Sequence, residues 1–588
     1  MCGIVGYAGK KDAISKIMTG LKSLEYRGYD SSGIAYIKNN KINILKKEGQ
    51  IKNLEQKINY KEEINIGISH TRWATHGKAD DINAHPHRQG KITLVHNGII
   101  ENYHELKKEL TNKGYTFISS TDTEVAAALI DYLYQEEKNM VRILNKLQNK
   151  LKGSYAFNII NDDYPDTIFG IRKDSPLIVG IGEEENILAS DIPAIIHVTN
   201  KYVILDNHDI VVLTKNKVTY YDENEQEIEK EIKVFSDNND IISKNGYNHF
   251  MLKEINEESD VVKKILKTYT ENNKVKSMFD IKKYNSIDIV ACGSASFAGK
   301  LGKFYIEKYL GVRVNVYFAS EYRYQTNFFD KDKLVIVISQ SGETADTLAS
   351  LKLAKESNVD TLAIVNRRES SIAREADYVI YTEAGIEIAV ATTKAYLAQV
   401  IVLLLLAVKN TKEEEKVVKE LHLLPNIITK YINEYDYKSI AEILKDKEHI
   451  FYLGRGIDYY LCEEGSLKLK ELSYIHSEAF PAGELKHGSI SLIDEHFGVI
   501  SIVTDKSISD KTISNLKEVS SRGAKIITIT NIKNDNFSDY KIEVEDYDEI
   551  LTPLSVITVM QLLAYNVALL KGCDIDKPRN LAKSVTVE

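Results

Sequence analysis

The chain has 588 residues, so its length implies more than one domain. It is 43% hydrophobic and 27% charged with a formal net charge of −9, the composition of a globular protein without the basic excess that a nucleic-acid partner attracts. Its four cysteines (Cys2, Cys292, Cys462, Cys573) lie far apart without CxxC or metal-finger spacing, which points to a reducing compartment.

No secretory signal is expected, because residues 2–9 are apolar but lack a basic flank and a cleavage site. Cys2-Gly3-Ile4-Val5-Gly6 opens the chain. Removal of Met1 leaves a thiol and a free α-amine on one residue, and an amine with a pKa of about 7.7–8.0 serves as that thiol's base. The competing reading is a small buried hydrophobe that starts a strand. Helix-like stretches follow at Asp12–Leu24 and Thr123–Tyr134, and β-rich runs at Ile92–Val95 and Tyr202–Leu205.

His70–Gly77 holds Arg72, suited to a bidentate grip on a carboxylate, beside Trp73, the only tryptophan. His96-Asn97-Gly98 reads as a turn after a strand. Asn97 offers a side-chain donor and Gly98 a close backbone N–H, as a tetrahedral oxyanion requires; a plain Asn-Gly hairpin is the alternative. Thr121-Asp122-Thr123-Glu124 starts a helix, where Asp122 is either an ammonium partner or part of an ordinary cap. Six of the 14 histidines (His70, His76, His85, His87, His96, His104) crowd this region, but their spacing matches no zinc pattern, so no metal is expected. The polar, acidic stretch Asp222–Gly246, with a hairpin-like tip at Asp222–Glu227, reads as a linker.

From about 280 the pattern changes to apolar strand, Gly-rich turn and long helix, which predicts parallel sheets wrapped by helices. Ile287–Ala291 leads into Cys292-Gly293-Ser294, Leu334–Ile338 into Ser339-Gln340-Ser341-Gly342-Glu343-Thr344, and Thr361–Val365 follows. The scheme recurs with Ile450–Leu453 before Gly454-Arg455-Gly456, then Val499–Val503 and Ile526–Ile529. Ser320-Glu321 and Ser477-Glu478 sit at similar offsets in the two copies, so a duplicated α/β domain is expected. The greasy runs Leu397–Val408 and Leu551–Leu570 read as buried helices, the first too short to span a bilayer.

The Ser339–Thr344 loop has the hydroxyls and helix-start N–H groups that bind a phosphate monoester, and no Lys of a nucleotide loop. Glu464, Lys468 and Glu471, spaced by 4 and 3, share one helix face. That stripe is either a solvated ion-pair row or a proton-moving group. His487 stands in the Gly-flanked loop Gly483–Gly488, and the tail from Asp576 reads as an ordered strap.

The first part resembles the class II glutamine amidotransferases, through Cys2–Gly6, Tyr26–Ser31, His70–Gly77, Asn83–His87 and His96–Asn102. The resemblance implies an N-terminal-nucleophile αββα fold and a glutamyl thioester on Cys2. It also implies an oxyanion hole from Asn97 and Gly98, glutamine held by Arg72, Trp73, Thr75, His76 and Asp122, and Trp73 gating a path for ammonia. Ser339–Thr347, Leu453–Gly456, Glu464–Gly488 and Pro578–Glu588 resemble the isomerase half of the glutamine–fructose-6-phosphate aminotransferase family, with two sugar-isomerase (SIS) domains. That resemblance assigns the sugar phosphate to Ser294, Ser339, Gln340, Ser341, Thr344 and the backbone near Val390. It assigns the C1–C2 proton transfer to Glu471 with Glu464 and Lys468, a Schiff base to Lys583, and ring opening to His487 from a neighbouring subunit. Where many relatives read Thr-Ser after Ala291-Cys292-Gly293, this chain reads Ser294-Ala295, which removes one hydroxyl. The expected plan is multidomain, α+β then α/β: a glutaminase over 1–240, a linker and entry helix over 241–280, SIS domains over 281–425 and 440–575, and a tail over 576–588. The resemblance further implies small-molecule substrates only, no cofactor, no nucleic-acid or membrane partner, a homodimer and a cytoplasmic location.

Overall fold

A computed structural model describes residues 2–10, 12–60, 63–235, 243–276, 278–533 and 536–586. The expected removal of Met1 and the expected boundary at 240/241 lie outside the described residues. The chain divides into two compact units, 1–242 with 582–588, and 243–581.

In the first unit, the apolar start of the chain becomes the strand Gly3–Gly9, buried along its whole length. It runs antiparallel between Ile66–Arg72 and Glu185–Ala189 in an eight-stranded sheet. A seven-stranded antiparallel sheet carries Ile92–Ile100 and Gly153–Asn161. Ile4, Ile66 and Ile68 of one sheet pack against Val95, Ala156 and Ile160 of the other, and this apolar layer holds the sheets face to face. The helices Asp122–Glu136 and Met140–Gln148 bury Val125, Leu129, Ile143 and Leu147 against the outer face of the second sheet. Helix Ala13–Ser23 lies on the first. The layers are therefore αββα.

Two expectations change here. His96-Asn97-Gly98 is no turn: it lies within Ile92–Ile100, paired residue by residue with Tyr155–Phe157. Cross-strand pairing over the whole segment overrides the local Asn-Gly turn preference. The stretch Asp222–Gly246 is not simply a linker either. The expected hairpin tip is present, closing Val218–Tyr221 onto Glu227–Ile228, and beyond it Lys233–Val234 pairs with Lys201–Tyr202. Both short strands are sheet edges, where charge is tolerated because one flank faces solvent. Residues 236–242 of that stretch lie outside the described residues.

The second unit begins with helices Phe250–Asn256 and Glu258–Tyr269. Two five-stranded parallel sheets follow. In the first, the spatial order is Arg313–Phe318, Ser286–Ala291, Lys333–Ser339, Asp360–Val365, Tyr378–Tyr381. In the second it is His476–Pro481, His449–Gly454, Gly498–Val503, Lys525–Thr530, Tyr540–Glu543. Both follow the doubly wound order 2-1-3-4-5, which establishes the repeat. The Ser-Glu pairs do not mark it: Ser320-Glu321 lies in the short helix Ala319–Tyr322 after a strand, whereas Ser477-Glu478 lies within a strand. Every residue of Lys394–Val408 is buried. Leu551–Leu570 is long and apolar enough to cross a membrane, yet 83% of its most apolar window is buried inside the protein. From Asp576 to Thr586 the tail is irregular, and 582–588 group with the first unit.

Candidate functional site

At the first site, sheet pairing brings Cys2 to the end of the strand Ile66–Arg72, because Gly3 pairs with Thr71. The N–H of Trp73 donates to Cys2 Sγ at 3.2 Å, and the thiol lies 3.5 Å from the Trp73 carbonyl. Burial pushes the thiol up from its ordinary value, opposed by the Trp73 N–H and the charge of Arg72. Asn97 Nδ2 donates to the Cys2 carbonyl at 3.0 Å, and Arg27 Nε donates to the same oxygen at 3.1 Å. Arg27, itself buried, also pairs with Asp191 at 3.2 Å. The backbone of Cys2 is thus clamped while its thiol faces the Trp73 loop.

Gly98 takes φ +128° in mid-strand, and a Cβ there would lie 2.1 Å from the Ser154 carbonyl oxygen. Only glycine fits this approach. Arg72 turns its guanidinium onto the carbonyls of its own loop, donating to those of His76, Gly77 and Lys78. Asp30 accepts from the Ala74 N–H at 2.9 Å. Trp73 is half-buried, edge-on to Tyr29 at 6.1 Å. Thr75 is exposed, and half-buried His76 meets the Tyr103 ring at 5.2 Å. Asp122, in the first turn of a helix capped by Thr121, accepts from the Ile100 N–H at 2.9 Å, which ties it to the strand of Asn97 and Gly98.

Sequence reasoning missed Arg27 and Asp30 as individual supports, although the Tyr26–Ser31 segment was a signal for them. It also weighed the histidine crowd only as a metal site. In the structure, His70 stacks on His85 at 4.0 Å, and His70 Nε2 lies 2.9 Å from the His96 carbonyl oxygen. His85 Nε2 and His96 Nδ1 lie 3.2 and 3.0 Å from Thr123 Oγ1. Burial holds His70, His85, His87 and His96 below the usual histidine range. These rings form a buried prop behind the strand that carries Asn97.

The second site lies at the carboxyl ends of Ser286–Ala291 and Lys333–Ser339, adjacent strands where the winding of the sheet reverses. Open α/β sheets form ligand crevices at that place. Ser339 Oγ accepts from the Gly342 N–H at 3.0 Å and lies 2.9 Å from Thr344 Oγ1. Ser341 Oγ accepts from the Glu343 N–H at 3.1 Å, and Gln340 is half-buried beside it. Thr344 then leads into the helix Ala345–Glu356 without capping it by its side chain, so N–H groups remain at that terminus.

The Glu464–Lys468–Glu471 stripe is sealed at Glu464 and Lys468 and half-buried at Glu471. Lys468 and Glu464 are each 1% exposed, because the helix Ile457–Ser473 packs between Leu551–Leu570 and Gly293–Leu310. Lys468 Nζ donates to Glu471 at 2.5 Å and lies 3.5 Å from Glu464. Burial pushes the Glu464 carboxyl up to about 7, against the pull of Lys468. Burial alone would lower Lys468, but the charges of Glu464 and Glu471 outweigh it and raise the ammonium to about 12. Glu387, buried and accepting from the N–H groups of Thr393 and Ala395, adds to that field; no local motif announced it.

Ser294, at the start of its helix, donates to Glu464 at 3.0 Å, which joins the two halves of the repeat. Its neighbour Ala295 packs against the core. The N–H of Val390 donates to the Asp576 carbonyl at 3.1 Å. His487 ends a short 3₁₀ turn, Glu484–His487, rather than lying in an open loop, and is exposed. Lys583 is half-buried on the irregular tail, in the stretch that groups with the first unit. The structure therefore assembles Ser294, Glu464, Lys468 and Glu471 into one cluster and Ser339, Ser341 and Thr344 into one loop, and leaves His487 apart.

The chain is similar to known proteins along its whole length. The glutamine amidotransferase domain model matches residues 70–197, and the SIS domain model matches 280–409 and 443–571. The glutamine–fructose-6-phosphate aminotransferase (isomerizing) of Clostridium tetani is 48% identical over 100% of both chains. Those of Fusobacterium nucleatum and Thermococcus kodakarensis are 46% and 44% identical, again over 100% of both chains. The solved C-terminal domain of glucosamine-fructose-6-phosphate aminotransferase from Francisella tularensis superposes with a TM-score of 0.55 at 39% identity, covering 57% of this chain and 99% of that one. With that identity along the whole length, and with a glutamine amidotransferase domain ahead of two SIS domains, the chain belongs to the glutamine–fructose-6-phosphate aminotransferase (isomerizing) family.

Proposed function

We propose that the protein converts fructose 6-phosphate and glutamine to glucosamine 6-phosphate and glutamate. Cys2 Sγ attacks the glutamine carboxamide, its proton passing to the α-amine, and ammonia leaves a glutamyl thioester that water hydrolyses. Asn97 and Gly98 donate to the oxyanion. Arg72 holds the glutamine α-carboxylate and Asp122 the α-ammonium, with Trp73, Thr75 and His76 closing around the side chain.

At the second site, Ser339, Gln340, Ser341 and Thr344 hold the sugar phosphate, with Ser294 and the backbone at Val390 beside them. Lys583 forms an imine with the C2 carbonyl of the open-chain ketose, releasing water. Ammonia from the first site displaces the lysine at C2, and Glu471 carries a proton from C1 to C2 to give the amino aldose. Lys468 donates to Glu471 and holds that carboxyl group in place. Glu464, with a carboxyl at about 7, gives and takes protons near neutrality. His487 opens the sugar ring from a second copy of the chain in a homodimer, and the enzyme works in the cytoplasm.

The observation that carries this reading is the run of buried Glu464 and Lys468 with half-buried Glu471, in a chain whose first residues present a clamped thiol. The test is to assay amino sugar from glutamine and fructose 6-phosphate. Cys2→Ala should abolish glutamine-dependent synthesis, and Lys583→Ala should retain glutamine hydrolysis while losing amino sugar. Unimpaired glutamine use by Cys2→Ala, or unimpaired amino-sugar output by Lys583→Ala, would refute the assignment.

A further inference from the structure

The second parallel sheet has a second end. At its amino edge, away from the carboxyl ends of its strands, two strands open on histidines. His449 starts His449–Gly454 and His476 starts His476–Pro481, and the parallel register pairs them directly. Their Nδ1 atoms are 3.1 Å apart. At that separation the two ring nitrogens face one another across a gap that a cation can occupy. Two imidazole nitrogens bound to one Zn²⁺ in tetrahedral geometry, at about 2.0–2.1 Å each, stand roughly 3.3 Å apart. The apo spacing therefore already approximates the bite.

The rings are also held. His449 stacks on Phe497 at 5.7 Å with an interplanar angle of 16°, and Phe497 is buried. His476 Nε2 lies 4.0 Å from the Glu478 carboxylate, which places negative charge beside the ring without hydrogen-bonding it. A cavity of about 710 Å³ opens beside the pair, lined in part by Asp446, Glu448, Asp494 and His496. Among the described residues no third donor already stands with the two histidines. The remaining positions fall to water, with these acidic side chains supplying negative charge around the ion.

We propose that His449 and His476 form a binding site for one late first-row divalent cation, of the Zn²⁺, Ni²⁺ or Cu²⁺ class, separate from both reaction centres. The cross-strand register fixes both ligands on a rigid sheet, so the site is preorganised and no backbone movement is needed to fill it.

The test uses the full chain, stripped with chelator and carrying Cys2→Ala in every arm so that the terminal thiol does not compete. Cu²⁺ is titrated calorimetrically and followed by electron paramagnetic resonance. The expected result is one equivalent per chain with hyperfine splitting from two imidazole nitrogens. His449→Gln or His476→Gln alone should reduce the spectrum to one nitrogen and weaken binding by about tenfold or more. Both positions are exposed, and each variant's unfolding midpoint confirms that it is folded. Unchanged affinity and unchanged nitrogen hyperfine in the His449→Gln/His476→Gln double variant would overturn the proposal, as would a parent protein that takes up no Cu²⁺ with imidazole coordination.

Discussion

Gly98 concentrates the demands of the first site in one residue. Its φ of +128° suits no side chain, and the atom a Cβ would strike is a backbone oxygen of the neighbouring strand, which cannot rotate away. Gly98→Ala should lower stability by about 2 kcal/mol or more and depress glutamine hydrolysis further than the stability loss explains. Urea midpoints and glutaminase rates on the same preparation check this; a midpoint within error of the parent would show that the strand simply shifts. The residue types of this site were legible in the sequence: a terminal thiol, a forked cation and an Asn-Gly donor pair each advertise their chemistry. What escaped was placement. Asn97-Gly98 reads as a turn because two residues in isolation favour one, and only pairing with Tyr155–Phe157 makes it strand. Glu464, Lys468 and Glu471 read equally well as a solvated stripe, since spacing fixes the shared face and says nothing of what covers it.

Helices supply that cover, and their fit is set by small residues. Gly302 of the helix Gly293–Leu310 faces Leu403 of the all-buried helix Lys394–Val408, where a Cβ would come within 2.8 Å of Leu403 Cδ1. Leu403→Ala should cost about 2–5 kcal/mol through the cavity it leaves. Gly302→Ala alone overpacks the same spot, and the double variant should be less destabilised than the two single changes added together, by about 0.5–3 kcal/mol, because the new methyl enters the new space. Additive losses in chemical denaturation would separate the two sites and defeat the argument. The same packing buries Glu258 at the start of Glu258–Tyr269, where Thr558 donates to it at 2.6 Å. Burial raises this carboxyl from 4.5 to about 8. The folded state then holds a proton that the unfolded state releases, so stability falls as pH rises from about 4.5 to about 8, by up to about 1.4 kcal/mol per pH unit. Asp458 and Glu464 shift in the same direction. Glu258→Gln should therefore be close to neutral at pH 5 and stabilising at pH 9, a crossover visible in urea midpoints at the two values. An equal effect at both would mean that Glu258 is ionised when folded. Such helices are the most legible elements of this chain, for a continuous apolar run longer than ten residues in a globular protein has few other fates.

At the scale of the whole chain, the glutamine amidotransferase match and the SIS matches fall in units with separate cores. Residues 243–581 form one compact unit around a large apolar cluster that runs through both parallel sheets and the buried helices, with a smaller cluster on the other face of each sheet. The Francisella tularensis structure that superposes on this part is itself a C-terminal domain solved as a separate chain. A core of its own and boundaries in polar sequence are the marks of a segment that folds independently. A fragment of residues 243–588 should therefore unfold cooperatively, bind fructose 6-phosphate through the Ser339–Thr344 loop and hydrolyse no glutamine. A fragment ending at 581 should bind the sugar phosphate with similar affinity, because that loop and the Glu464 cluster are intact, but should lose isomerisation by roughly 100-fold or more, since Lys583, proposed above to form the imine, is gone. Calorimetric binding of fructose 6-phosphate and an aldose-forming assay on both fragments divide the roles. Equal isomerisation by the two would remove Lys583 from the mechanism, and loss of binding in the shorter one would move the phosphate contacts from the Ser339 loop to the tail.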